Sequence, residues 1–385
     1  MKVRTKERDQ KEFFIVKIMS FSSTSSSPSS NNTTGGGGGP LVLVTGSSGH
    51  LGKALMLSLS SYGYTPIGID ILPGKTTTHV GSVSDEDFVK GLFARYDHAF
   101  EYVVHAASLH KPHVGSHSKK EFVRGNVEGT LLLLEESVKS ERVKGFVYVS
   151  TTSAFGGVLV SEVGQKANWI DEGMIGAGMA KNVYGVTKEA AEGLAWLIAK
   201  EESKKKKGMA VVVLRTSRFF PEGDDAEKQE LGDENLKVLE LAYRRVDIAD
   251  VVGACVCAMK KGQELKGGWG RYVISGPTPF LREGDDAKEL GEGGKVGDVM
   301  ERRVPGVQKV FRDKGWGWLS RLDRVYDSGL AEKELGWKAE YTFQRAVERV
   351  KEGKEWRSEL SLRVGKLGYH AVSTGVYTQR GEVNT

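Results

Sequence analysis

Residues Leu41–Gly52 read "LVLVTGSSGHLG", and the fold turns on how this stretch is understood. "LVLVT" is a short continuous apolar run of the kind that forms a strand buried on both faces of a parallel sheet. Gly46, Gly49 and Gly52 follow at spacing G-x-x-G-x-x-G and lead into an amphipathic helix pattern from His50 to Ser61. Between a buried strand and a helix, each glycine has a physical task. Gly46 permits the tight turn, Gly49 lets backbone N–H groups approach a pyrophosphate, and Gly52 lets helix and strand pack closely. Ser48, His50 and Leu51 share the loop and its expected dinucleotide contact.

Working outward, a second strand "TPIGID" ends at Asp70, 24 residues after Gly46. A carboxylate there accepts hydrogen bonds from both ribose hydroxyls and repels a 2′-phosphate, and no Arg occupies the glycine loop to offset it. The cofactor expected is therefore NAD rather than NADP. Beyond Asp70 the alternation continues: a helix near "SDEDFVKGLFARY", the strand "YVVHAA", the helix "FVRGNVEGTLLLLEESV", the strand "GFVYVS", a long loop, a helix holding Tyr184, and the strand "AVVVLR". Strands alternating with helices of about a dozen residues give βαβ units and a doubly wound parallel sheet.

After Arg215 the regularity breaks. "PEGDDAEKQELGDEN" reads as a surface loop, "RRVDIADVVGACVCAMKKG" as a short strand and a helix, "RYVISGPTPF" as a strand ending in a turn, and "GLAEKELGW" as a short helix. The organisation expected is a low-complexity segment over 1–39, a dinucleotide-binding domain over 40–215, and a mainly substrate-binding lobe over 216–385. Residues 244–262 are expected to return to the main sheet.

Composition sets the outer limits. The chain has 385 residues, 39% hydrophobic and 27% charged, with a net charge of +5 from 55 basic and 50 acidic residues. That is ordinary for a soluble globular protein. The one dense basic run, Glu202–Gly208, has no interleaved aromatics and reads as a solvated loop, so a nucleic-acid partner is not expected. The two cysteines, Cys255 and Cys257, sit in an apolar helix pattern with no second Cys/His pair, which excludes a disulfide framework and favours a reducing compartment. No apolar run approaches the ~18 residues needed to span a bilayer. The Ser-rich N-terminus leaves organelle targeting as the alternative to a cytoplasmic location, with Glu7, Asp9 and Glu12 against targeting.

Tyr184 and Lys188 in "YGVTK" stand one helical turn apart. Alone, the pair reads equally as a surface couple or as a proton-handling site. The G-x-x-G-x-x-G loop followed by Y-x-x-x-K resembles the extended short-chain dehydrogenase/reductase superfamily, and most closely its NAD-dependent epimerase/dehydratase family, of UDP-glucose 4-epimerase type. "YVVHAAS", "GNVEGTLLLLE", "YVSTTSAFG", "RVDIADVV" and "AEKELGWKAEYTF" match in order, so the similarity runs from Leu41 to about Tyr341. It implies a Rossmann-type sheet with a smaller mixed α/β C-terminal substrate lobe, and a homodimer through two helices of each chain.

A free tyrosine titrates near ~10, too high for a base at neutral pH; a neighbouring ammonium favours the phenolate. Tyr184 then exchanges a proton with a substrate hydroxyl while the nicotinamide exchanges the hydride. Thr151 is expected to orient the substrate oxygen, with Thr152 the fallback. The resemblance also implies that Ala106 and Ala107 run along the adenosine and nicotinamide ribose, that Asn126 bends its helix near the site, and that Val83 packs on the adenine. Ser82 stands where the family carries an acidic residue.

Other departures bear on the substrate. Dehydratases of the family carry Asp-Glu after the catalytic Thr, where this chain has Thr152 and Ser153; elimination chemistry is therefore not expected. In place of the Asn-x-Tyr-Gly-Pro turn the chain has "TSRFFPEGDD", putting Arg218 nearby, and Arg244 stands before the "RVDIAD" segment. Both suit an anionic, sugar-like substrate. His110 and Lys111, in "SLHKPHVGSH" with His113 and His117, lie at the expected substrate entrance, and no metal is expected. Three readings stand: a 4-epimerase-like enzyme, a net dehydrogenase/reductase on a non-nucleotide alcohol, and a non-catalytic NAD sensor.

Overall fold

Apolar and β-branched residues fill the first strand because both its faces are covered: β1 (Leu41–Thr45) has Val42, Leu43, Val44 and Thr45 fully buried. The structure, a computed structural model, describes residues 38–174, 178–221 and 231–367. The segment expected to be low-complexity lies outside the described residues up to Gly37, as do residues 222–230 of the expected acidic loop.

The first half alternates as the sequence predicts: α1 (His50–Ser58), β2 (Thr65–Asp70), β3 (His79–Val80), α2 (Glu86–Arg95) and β4 (Phe100–His105). Next come the short α3 (Lys119–Phe122), a π-helical turn over Val123–Glu128, α4 (Gly129–Ser140) and β5 (Gly145–Thr151). β6 (Asn168–Ile170), α5 (Val183–Glu202), β7 (Ala210–Thr216) and β8 (Arg218–Phe219) follow. α5 starts where Asn182 caps it, its Oδ1 accepting the Gly185 N–H at 3.0 Å.

The second half holds α6 (Asp233–Glu240), β9 (Arg245–Val246), α7 (Ile248–Lys261) and β10 (Trp269–Ile274). α8 (Asp286–Glu292), α9 (Val296–Arg303), α10 (Val307–Asp313), β11 (Arg324–Tyr326), α11 (Gly329–Leu335), α12 (Phe343–Lys351) and α13 (Glu359–Val364) complete it. All seven strands of the main sheet are parallel, in the order β10-β7-β5-β4-β1-β2-β3. β10, which the sequence reading put in the C-terminal lobe, is the edge strand beside β7.

One face of the sheet packs on α1 and α7 together with Ala331, Leu335, Trp337 and Val364 from the C-terminal region. The other packs on α2, α4 and α5. A separate core, with Val238, Met300, Phe311 and Phe343, holds the smaller lobe. The parallel pairs β6–β11 and β8–β9 link that lobe to the ends of β5 and β7.

Candidate active site

At the C-terminal ends of the central strands, a cavity of about 1040 Å³ opens between the sheet and the smaller lobe. This is where open α/β sheets bind ligands. Gly46, Ser48, Gly49, His50, Leu51, Gly52, Asp70, Ser82, Val83, Ala106 and Ala107 line one part. His110, Lys111, Thr151, Thr152, Tyr184, Arg218 and Arg244 line the rest. Asn126 and Lys188 stand behind the wall, both about 1% exposed.

The glycine loop has the tight geometry that a phosphate cradle requires. Gly46 has φ +70°, and a Cβ there would stand 2.8 Å from Ala107 N. A Cβ on Gly52 would stand 1.9 Å from Gly46 O. Gly49 caps the start of α1 and offers no capping side chain to its first N–H groups, a setting suited to an anion. The Asp70 carboxylate accepts from Ser48 N–H at 3.0 Å and Leu72 N–H at 2.9 Å, locking the loop to the end of β2. Carboxylate lone pairs beyond those two bonds suit ribose hydroxyls. On these observations the residues fit a dinucleotide. Ser82 bonds Ser84 Oγ at 2.9 Å, and Val83 is buried beside it.

A buried network, not foreseen from the sequence, positions the Ala106–Ala107 backbone. Thr45 Oγ1 accepts from Ala107 N–H at 3.0 Å and lies 2.7 Å from His105 Nδ1. Thr130 O–H donates to Asn126 O at 2.6 Å, and His105 Nε2 lies 3.0 Å from Thr130 Oγ1. With the hydroxyl protons so committed, His105 carries its proton on Nε2 and accepts from Thr45 at Nδ1. Burial, then Lys188, pushes its pKa well below the ordinary value, so the ring is neutral. Asn126 continues the chain: Oδ1 accepts from Leu109 N–H, while Nδ2 donates to Leu109 O and to Thr187 Oγ1 on α5. The π-helical turn thus joins the loop after β4 to the helix bearing Tyr184.

Tyr184 lines the cavity, whereas Lys188 lies beneath it. Its Nζ donates to Val149 O at 2.6 Å and stands 4.1 Å from the Tyr148 ring centroid. Burial lowers its pKa to about 7, with Glu192 one turn along working the other way. Glu192 is itself fully buried, receiving Ser150 Oγ, a bidentate Arg215 and Arg271. Thr151, at the end of β5, accepts Ser153 N–H at 3.1 Å through its own hydroxyl oxygen.

The rings of Tyr184, His110, His113 and His117 follow one another at centroid separations of 6.4, 4.6 and 5.1 Å. His113 Nδ1 accepts from His110 N–H at 3.0 Å, which leaves its proton on Nε2. Burial, then His113, lowers the His110 pKa to about 3, so it presents a neutral ring. Among the described residues no group of three or more His, Cys, Asp or Glu side chains is gathered for a metal ion.

The opposite wall is basic. Glu240 is fully buried and accepts from Arg244 Nε and Arg245 Nε, each at 2.7 Å, with Arg218 at 3.9 Å. Burial opposes its charge, yet the three guanidiniums hold its pKa down to about 2. Arg324 and Tyr326, on β11, also line the cavity, and Arg324 pairs with Asp323. Four guanidiniums against two carboxylates leave this wall positive. Glu240 and Arg324 were not anticipated, because the segments that bring them here are far apart in sequence.

The chain is related to known proteins over much of this architecture. Residues 42–274 match the NAD dependent epimerase/dehydratase family. "Probable UDP-arabinose 4-epimerase 3" of Oryza sativa subsp. japonica is 26% identical over 352 residues, covering 78% of each chain. UDP-glucose 4-epimerase of Yersinia pestis is 28% identical over 130 residues, so the match spans 30% of this chain and 38% of that relative's length. UDP-glucose 4-epimerase of Thermotoga maritima, solved with UDP-glucose, superposes with a TM-score of 0.53 at 21% identity, covering 81% of this chain and 99% of that one. The enzyme of Brucella ovis, solved with NAD, gives 0.53 at 20% identity over 79% and 95%; these two likenesses establish the fold. The family match runs from the second residue of β1 to the last of β10, enclosing the glycine loop, Thr151, Tyr184 and Lys188, and by it the chain belongs to the NAD dependent epimerase/dehydratase family.

Proposed function

We propose that the protein is an NAD-dependent enzyme that moves a hydride reversibly at a secondary alcohol of a sugar-nucleotide-like substrate, as a 4-epimerase does. The observation carrying this reading is convergence: the phosphate cradle, Thr151, Tyr184 and the arginine wall line one cavity. NAD, when bound, supplies the hydride acceptor and donor. Tyr184 removes the proton of the reacting hydroxyl and returns it to the alkoxide. Thr151 donates to the same oxygen and fixes its direction, and Lys188 favours the phenolate through its charge. Arg218, Arg244 and Arg324 face the anionic portion of the substrate, the diphosphate in a sugar nucleotide. His110 and Lys111 contact the sugar from the loop after β4, and Thr152 is the remaining hydroxyl beside Thr151.

The test incubates the full chain with NAD and a panel of UDP-hexoses, UDP-pentoses and UDP-uronates. Product stereochemistry is read by NMR, and net NADH by absorbance. An inverted sugar without net NADH is the expected outcome. Net NADH without inversion would favour the dehydrogenase reading, which the replaced Asn-x-Tyr-Gly-Pro turn supports. NAD binding with neither an inverted sugar nor net NADH across the panel would favour the sensor reading.

A homodimer built on α4 and α5, the arrangement that the sequence resemblance implies, is part of this reading. On α5, Val186, Trp196 and Leu197 are 52%, 47% and 45% exposed, an apolar surface of the kind an interface covers. Both cysteines are free, which suits a cytoplasmic location that cell fractionation would check. No helix among the described residues is long and apolar enough to cross a membrane.

A further inference from the structure

The family match ends at Ile274, yet the chain beyond it comes back to the glycine loop. α13 packs on α1 and α7, and Val364 is buried in the core that also contains Leu51 and Leu55. Where α13 ends, two hydrogen bonds fix the chain to the first turn of α1. Lys53 Nζ donates to Val364 O at 2.9 Å, and Leu367 N–H donates to His50 Nε2 at 2.9 Å. Leu367 also packs against the core and lines the cavity with His50 and Gly49.

The bond from Leu367 determines the chemistry of His50. Burial, then Lys53, lowers its pKa to about 4, so the ring is neutral. A neutral imidazole accepting at Nε2 holds its proton on Nδ1, which makes that edge a donor. His50 is the first residue of α1, directly after Gly49. That is the position where a helix N-terminus meets phosphate oxygens.

We propose that the segment Val364–Leu367 is part of the dinucleotide site, a strap across the first turn of α1 that retains the bound dinucleotide and holds His50 as an Nδ1–H donor toward its phosphates. The proposal rests on the NAD reading above and adds to it a segment beyond the family match. Because the strap is bonded to the first turn of α1 and reaches the cavity wall at Leu367, it acts on release more than on capture.

The test titrates NADH into the full-length protein by nicotinamide fluorescence and measures its release by stopped flow. Leu367→Pro removes the N–H donor, since proline has none. Lys53→Met removes the other tether from outside the cavity. Leu367→Pro is expected to speed NADH release about tenfold, equivalent to about 1.4 kcal/mol. Lys53→Met is expected to speed it about threefold, a smaller loss because the His50 bond remains. Unchanged release in both variants overturns the strap and leaves the NAD reading intact. Failure of the wild-type chain to bind NADH overturns the NAD reading, and the strap with it.

Discussion

Lys188 is held in a place that disfavours its own charge. In the unfolded chain its ammonium persists up to the ordinary value of 10.5, whereas in the fold burial brings the pKa to about 7. A folded-state pKa below the unfolded one means that the destabilisation is fully present below pH 7 and fades as the pH rises toward 10.5. Lys188→Met should therefore abolish turnover yet stabilise the fold. The expected gain is roughly 2 kcal/mol, or ~3 °C in Tm, at about pH 6, after allowing for the lost bond to Val149, and it should shrink at about pH 9. Thermal melts at the two pH values check this, and a larger gain at the alkaline value would contradict it. Tyr184, Lys188 and Thr151 could be found in the sequence because their spacing is local or ordered along the strands. The His105–Thr45–Thr130 network could not, because its members lie 60 and 25 residues apart and only the sheet order brings them together.

At the scale of elements, the glycine loop is a joint between β1, α1 and the end of β4, and its tolerance is close to zero. A methyl group on Gly52 would overlap Gly46 O, so Gly52→Ala must displace α1 or open the turn. NADH affinity should fall about a hundredfold, the equivalent of about 2.7 kcal/mol. Fluorescence titration checks it; affinity within twofold of wild type would show that the loop yields without consequence. The strand and helix alternation up to β7 was legible because the central strands are continuous apolar runs buried on both faces, whereas the helices between them bury one face only. β10 was not placed in the main sheet from its sequence, since "RYVIS" would suit an edge strand of either lobe equally. Nothing in the chain before it announces the crossover. The π-helical turn is a comparable case: Asn126 was expected to bend its helix, but the partners that account for the bend, Leu109 and Thr187, are visible only in the structure.

At the scale of the whole molecule, α5, the helix that also bears Tyr184, carries a run of exposed apolar side chains, Val186, Trp196 and Leu197. If two copies pair there, Trp196→Lys combined with Leu197→Glu should convert a dimer to a monomer in sedimentation velocity while leaving NADH affinity within about twofold. A dimer that persists would place the interface elsewhere. The same helix is joined to the sheet by Glu192, whose carboxylate meets Arg215 on β7 and Arg271 on β10. That arrangement sets an order of assembly. A chain emerging N-terminal first can form β1, β2, β4 and β5 and then seat α5 against them. The Glu192 carboxylate acquires its second guanidinium only when residue 271 has been made. A nascent chain stopped before β10 would thus hold Tyr184 on a helix whose buried acid lacks one of its two guanidinium partners, beside a sheet with β7 as an uncovered edge. Such an edge is open to pairing with other chains, so prematurely terminated chains should aggregate where the complete one does not.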